Sequence, residues 1–485
     1  MSPFHPMGQL GRYFQPRISN MPPVALRRQQ LCRFAAARHS YQKSPSLRFF
    51  RLSHTNESFE RAAAIVVGAG PAGIATVGNL LETIKDGKII WIDRHFNGGR
   101  INSAYREVPG NTAVKLFVDY AKAVEPFRNI IESAPKPNPI TVLEDLPQDG
   151  TCSLSYAGDM LKFLTESLLE HPGLSPYKGD VTAAQRDTGN SMWTVATAAT
   201  EAFAGLAPAL LVSAPLLVYC TGSHPTKGLM PSFPSDLKSS PLEELPLDTA
   251  LTPSALSALL KSKLKTKVER SENNGGRGAK LEIGVIGGSH SAVLVLMNLY
   301  AIAKEYPNRE IRIKWFPRSE TLKYAEQRDG YILNDNTGLK GQAAKFAREM
   351  LDGDALHNSH AGKFISRHVL QGSEEAQWMT MEFGLFDCDL CVHAIGYERD
   401  PLPCTVIGKQ EITDEERQLT VKVSPKSGAI GKKANALYGA GIAFPEEVDT
   451  PEGSKEMAVG MWKFMKYLKG VVPKWVQETG ATGKK

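Results

Sequence analysis

Twice along the chain, a short run of small and β-branched apolar residues leads into a glycine-rich turn and then an amphipathic stretch at helical spacing. The first instance begins with Ala62–Val67, turns through Gly68-Ala69-Gly70-Pro71-Ala72-Gly73, and predicts a helix from Ile74 to about Lys85. Lys88–Asp93 follows as a strand. The second begins with Leu281–Ile286, turns through Gly287-Gly288-Ser289-His290-Ser291-Ala292, and predicts a helix from Val293 to about Lys304, followed by a strand at Glu310–Phe316. Further apolar strands are predicted at Leu216–Tyr219 and Phe386–Ala394, and helices at Gly341–Leu351, at Lys455–Tyr467 and from Thr252-Pro253 onward. Continuously apolar strands alternating with helices predict an α/β fold with two Rossmann-like units. The longest apolar run, Ala202–Thr221, is broken by Pro208, Ser213 and Pro215, so no membrane-spanning helix is predicted.

The first turn has the full context of a dinucleotide site. Gly68 permits the tight turn, Gly70 lets backbone approach a pyrophosphate, and Gly73 lets the helix pack closely on the strand. The helix start, with Pro71 and Ala72, offers unpaired N–H groups and a positive dipole end to phosphate. Asp93, 20 residues past Gly73, is placed to accept from ribose hydroxyls. Gly98-Gly99-Arg100 follows a few residues later, and a glycine pair there lets the chain pass close to a dinucleotide, which points to FAD.

In the second turn Gly287, Gly288 and Ala292 keep the small-residue frame, while Ser289 takes the place of the middle glycine. Ser289, His290 and Ser291 are candidate cofactor contacts. No acid ends the following strand; Arg318 stands there instead, a residue suited to the 2′-phosphate of NADP. Two such loops in one chain predict a flavoprotein that takes hydride from a nicotinamide.

Charge divides the chain unevenly. Residues 1–56 hold eight Arg and one Lys and no Asp or Glu, the composition of a mitochondrial transit peptide. The competing readings, a basic tail or an over-extended gene model, leave the protein in the cytoplasm. The remaining chain has 48 basic and 51 acidic residues, so nothing argues for nucleic acid. Six cysteines in 485 residues make no disulfide framework. Cys388 and Cys391 fall inside the predicted strand, where alternation would put them on opposite faces, arguing against a redox pair. His357 and His360 lack a third ligand, so no metal site is read.

These pieces resemble the two-dinucleotide-binding-domain flavoproteins, specifically the class B flavin monooxygenases and the lysine/ornithine N-hydroxylases. The resemblance rests on GAGPAG at 68–73, Asp93 with Gly98-Gly99, Pro109–Phe117 with Lys115, Cys220-Thr221-Gly222, GGSHSA at 287–292, Ala394-Ile395-Gly396-Tyr397, and Gly439-Ala440-Gly441. It implies an FAD domain in two pieces (57–235 and 393–485), an NADP domain inserted between them (278–392), and a linker with one helix (236–277). Thr221, Gly222, Gly396 and Tyr397 would mark the two crossings between domains. Gly441 would lie beside the flavin, with Ile442 where disulfide reductases carry Asp. Arg100 and Lys115 join the cofactor-binding set. An insert at 319–351, with Asn334, Asp335 and Asn336, would reach towards substrate or, on a plainer reading, cap the helix at 341. The resemblance implies hydride transfer from NADPH to FAD, oxygen addition at the flavin C4a and insertion of one oxygen atom into a small nucleophile. The F-x-G-x-x-x-H fingerprint of the flavin-containing and Baeyer–Villiger enzymes is absent. That absence, with the transit-peptide composition, keeps open a reductase serving a quinone or protein acceptor, and Ser289 in place of the middle glycine keeps open a flavin-binding scaffold without turnover.

Overall fold

The computed structural model describes residues 60–187, 189–198, 211–233, 241–273, 280–306, 310–408, 410–412, 426–430 and 435–481. The chain divides after Ser58, and all described residues belong to the body Phe59–Lys485, which holds both Rossmann units. The predicted presequence, most of the run at 202–221 and the glycine-rich stretch at 274–278 lie outside them.

The first Rossmann unit runs β1 (Ala64–Val67), α1 (Pro71–Thr83), β2 (Ile89–Asp93), α2 (Arg100–Ala104), β3 (Leu174–Lys178) and β4 (Leu216–Tyr219). The chain leaves it through β5 (Ser223–Pro225). The second unit comprises β6 (Glu243–Glu244), α3 (Leu247–Leu251), α4 (Pro253–Asn273), β7 (Leu281–Ile286), α5 (His290–Ala303) and β8 (Ile311–Phe316). Next come the insert strands β9 (Glu326–Arg328) and β10 (Tyr331–Leu333), then α6 (Gly341–Phe346), β11 (Ile365–Arg367), α7 (Glu374–Leu385) and β12 (Leu390–His393). The return is β13 (Tyr397–Arg399), β14 (Leu437–Gly439), the hairpin β15 (Glu446–Asp449) and β16 (Lys455–Ala458), and α8 (Met461–Thr479).

Each unit is built on a five-stranded parallel sheet, in the orders β14-β4-β1-β2-β3 and β6-β12-β7-β8-β11. The strands are continuously apolar because both faces are covered. Ala64 and Val66 pack towards α1 and α8, whereas Ile65 and Val67 face Ala184, Trp193 and Val195 of a six-stranded sheet. β7 likewise turns Ile283 and Val285 towards α3, α4 and α5. β5 and β13 pair antiparallel and carry the chain out of and back into the first unit. Among the described residues no helix is long and apolar enough to cross a membrane.

Several expectations shift. α1 and α5 both begin three residues earlier than predicted, because Gly73 and Ala292 lie inside the first turn and not before it. The segment read as a linker is part of the second unit: β6 extends its sheet beside β12, and Leu245, Leu251, Leu256 and Leu260 are buried in its core. The final helix starts at Met461 and not at Lys455, because Lys455–Ala458 pairs with Glu446–Asp449 as a hairpin. α6 is capped by Lys340 without a side-chain bond, so neither Asn336 nor Thr337 caps it.

Candidate functional site

The two glycine turns are built alike. At Gly68 φ is +108°, and a Cβ there would stand 2.2 Å from the Cys220 carbonyl oxygen beyond β4. At Gly287 φ is +129°, and a Cβ would stand 2.2 Å from the Ala394 carbonyl oxygen beyond β12. Both positions therefore exclude a side chain twice over, by backbone region and by space. In each unit a buried tryptophan on the second strand holds the turn. Trp91 Nε1 donates to the Gly68 carbonyl at 2.9 Å, and Trp315 Nε1 donates to the Gly287 carbonyl at 2.7 Å. The equivalence extends to register, since Trp91 lies opposite Val66 and Trp315 opposite Val285.

The middle positions share a conformation too. Gly70 has φ −83° and ψ −174°, and Ser289 has φ −98° and ψ −171°. Any residue adopts that backbone, so Ser289 fits the turn, with its side chain exposed and unused as a cap. A Cβ at Gly70 would meet nothing within 4 Å, which leaves open space in front of the α1 N–H groups. The Gly98-Gly99 pair closes over this space: a Cβ on Gly99, where φ is +72°, would come 2.7 Å from the Gly70 Cα. From the other side Gly441 approaches Ala72, and Gly73 lies against the Gly68 carbonyl. Thr221 Oγ1 is buried without a partner, while Gly222 turns at φ +86° towards Asp400. A cradle that a side chain would fill, together with an orphaned hydroxyl, suits a dinucleotide.

Asp93 has a second task that the ribose reading did not anticipate. Its carboxylate accepts from Ala69 N at 2.8 Å and from His95 N and Phe96 N at 2.7 Å each, so it ties β2 to the turn. The second unit has no counterpart. Pro317 lies against Gly288, and Arg318 is exposed, without an ion pair among the described residues. His290, at the first position of α5, has a buried Nδ1 without a partner. Burial, aided by the nearby charge of Lys340, pushes its pKa down to about 4.

Between the units lies a polar network that the sequence reading missed. Arg100 ion-pairs with Asp248 on α3, and the Tyr105 hydroxyl accepts from Arg100 at 3.2 Å while donating to Asp248 at 3.1 Å. Tyr397 packs edge-on against Tyr105 at 6.5 Å, and Gly396 beside it turns at φ +114°. Arg100, expected at the cofactor, thus makes its ion pair with the second Rossmann unit. Lys115, also expected at the cofactor, sits in a surface pair with Asp149 at 2.8 Å, with side chains 54% and 90% exposed.

The insert is likewise committed to protein. Asp335 binds Lys340 and, on α8, Lys463; Asn336 and Thr337 bind Glu456 on β16. The cysteine reading also changes. β12 begins only at Leu390, so Cys388 precedes the strand, and both thiols lie in one buried cluster with Phe316 and Leu385. They are unbridged, and burial pushes the Cys391 thiol up.

No family model matches the chain. It is 41% identical over 421 residues to monooxygenase AgnR1 of Paecilomyces divaricatus, covering 86% of this chain and 98% of that protein. The chain belongs to the two-dinucleotide-binding-domain flavoprotein monooxygenases. Among solved structures this flavoprotein is similar to the Kutzneria sp. 744 ornithine N-hydroxylase (13% identity, 86% of this chain and 99% of that one, TM-score 0.48). It is also similar to S-allyl-L-cysteine S-oxygenase from Allium sativum (14%, 88% and 82%, TM-score 0.44). Against cyclohexanone monooxygenase it aligns at 15% identity and a TM-score of 0.32, over 60% of its own length and 44% of that chain.

Proposed function

We propose that this monooxygenase uses FAD and NADPH to place one oxygen atom on a small nucleophilic substrate. The observation that carries the reading is the matched pair of glycine turns, one with an open cradle, joined by the β5–β13 ribbon. The balance is substrate plus O2, NADPH and H⁺ to oxygenated substrate, NADP⁺ and water. Bound FAD supplies the hydride acceptor and the oxygen chemistry. The chain supplies the rest. Gly70, Gly99 and Gly441 leave room for a pyrophosphate, the first turn of α1 presents its N–H groups to it, and Thr221 gains a partner for its hydroxyl. Asp93 retains acceptor capacity for a ribose beyond its three backbone bonds. At the second turn the α5 N-terminus with Ser289 and Ser291 receives the NADPH pyrophosphate, and Arg318 receives the 2′-phosphate. Burial lowers the pKa of His290 at the head of α5 to about 4, so the ring would be neutral near pH 7.

Product labelling tests the proposal. Purified protein should release FAD on denaturation, consume O2 with NADPH, and give product carrying one ¹⁸O from ¹⁸O2. Rapid quinone reduction by NADPH without labelled product would establish a reductase instead. Arg318→Ala should reduce the preference for NADPH over NADH by about tenfold; equal loss with both would make Arg318 structural. We also propose that residues 1–56 direct mitochondrial import, which their basic, acid-free composition supports. A fluorescent fusion remaining in the cytosol would refute this.

A further inference from the structure

We propose that the second Rossmann unit carries a site for a phosphate group at the end of its sheet remote from the glycine turn, separate from both cofactors. The pattern of β8 starts the argument. Ile311, Ile313 and Trp315 alternate into the core shared with α5, so Arg312 and Lys314 belong to the other face. In register, Arg312 lies beside Glu282 of β7, and Lys314 beside Ser366 of β11. α7 covers the carboxyl half of this face: a Cβ on Gly284 would meet Leu385, and one on Gly384 would meet the Phe316 ring. The half nearer the strand starts is left to polar side chains.

There they line a cavity of about 160 Å³. Its wall holds Lys280, Arg312, Lys314 and Lys363, the single carboxylate of Glu282, and the Ser366 side chain. The carboxylates of this region are already paired. Glu282 binds Lys314 at 3.3 Å, Asp387 binds the same lysine at 3.5 Å, and Asp389 binds Lys267 at 2.6 Å. Among the described residues Lys280, Arg312 and Lys363 form no ion pair. Arg312 Nε is in addition buried without a hydrogen-bond partner.

A guanidinium cannot shed its proton, and a buried donor without a partner is costly, so the cavity lacks an anion that the chain does not itself supply. Lys280 precedes β7 and Lys363 precedes β11, the two neighbours of β8, so lysines flank Arg312 on both sides. A carboxylate could satisfy the guanidinium. A phosphate dianion also has oxygens for both lysines, and its charge matches their number better. This is not the nicotinamide site: Glu282 and Gly287 stand at opposite ends of β7, roughly 15 Å apart. Inorganic phosphate and a phosphate monoester present the same group, and the cavity is open to either.

The test is isothermal titration of holoenzyme holding FAD and saturated with NADP⁺, so that the cofactor sites are filled. Inorganic phosphate and phenyl phosphate are compared with chloride at equal ionic strength. Phosphate should bind saturably with a Kd of about 1 mM or below, and chloride should not. Tighter binding of phenyl phosphate supports the site as one for an ester, and tighter binding of inorganic phosphate supports it as one for the free ion. Arg312→Gln should weaken both by at least about tenfold. Lys363→Ala, at an exposed position before β11, should weaken them several-fold with the fold unchanged. In chloride alone Arg312→Gln should melt no lower than wild type, because it removes an unpaired charge, and phosphate should raise the melting temperature of wild type but not of the variant. Absence of saturable binding, or equal affinity in folded Arg312→Gln, overturns the proposal. So does a loss seen with Arg318→Ala and not with Arg312→Gln, which would put the phosphate at the nicotinamide turn.

Discussion

Gly70 and Gly68 sit two residues apart and answer to different constraints. A side chain at Gly70 meets no protein atom, and its backbone suits any residue. Gly70→Val is therefore expected to fold with thermal stability within about 1 kcal/mol of the wild-type apoprotein, yet to retain no FAD. Full flavin content in that variant would remove the first turn from the cofactor site. The tryptophans allow a finer comparison. In the first unit Trp91 and Asp93 both restrain the turn, one through the Gly68 carbonyl and one through Ala69 N. In the second unit no carboxylate takes the place of Asp93, and Trp315 holds the Gly287 carbonyl. Losing one hydrogen bond worth about 1 kcal/mol should therefore matter more in the second unit. Trp315→Phe is expected to raise the NADPH KM by about fivefold with little change in kcat, while Trp91→Phe keeps most of its flavin. Equal damage to both cofactors would reduce the tryptophans to packing.

At the scale of elements, α5 brings a histidine to a place where it cannot readily ionise. Its pKa is lowered, so the sign is fixed: below about pH 6.5 the unfolded chain takes up a proton that the folded ring refuses until about pH 4. Stability should fall as pH drops through that window, by about 3 kcal/mol in total. Denaturant titrations of His290→Gln should lose that slope, and an unchanged slope would assign it to other groups. The ion pairs of Asp335 between the insert and α8 behave differently. Burial opposes the charge on Asp335 and on Lys463, but Asp335 faces two lysines and its pKa is lowered, while Lys463 shares that carboxylate with Lys340 and its pKa is lowered as well. The Asp335 contribution is present above the free carboxylate range and is lost only in stronger acid.

For the whole molecule, the Arg100–Tyr105–Asp248 network joins α2 of the first unit to α3 of the second. Asp248→Asn removes the charge partner of Arg100 and weakens the acceptor of Tyr105. The expected cost is about 1–3 kcal/mol, read as a lower melting temperature, with bound FAD retained. A variant as stable as wild type would show the pair to be solvent-screened.

The fold class and both glycine turns were legible in the sequence, because each depends on local rules: apolar runs make buried parallel strands, and a tight turn beside a neighbouring carbonyl admits only glycine. The matched tryptophans were missed, although the same residue on the second strand of each repeat was a signal that could have found them. What escaped depends on partners distant in sequence. Arg100 was read for a cofactor, and its pairing with Asp248 on α3 could not be read from spacing. Asn336 was read as reaching substrate or capping α6, and its bond to Glu456 on β16 was not foreseen. Cys388 and Cys391 seemed to face apart until the strand began later than its apolar pattern suggested. A polar side chain has several chemically sound partners, and sequence spacing does not choose among them. Only packing decides which one arrives, because burial makes an unpaired donor or charge costly and commits the group to whichever partner is there.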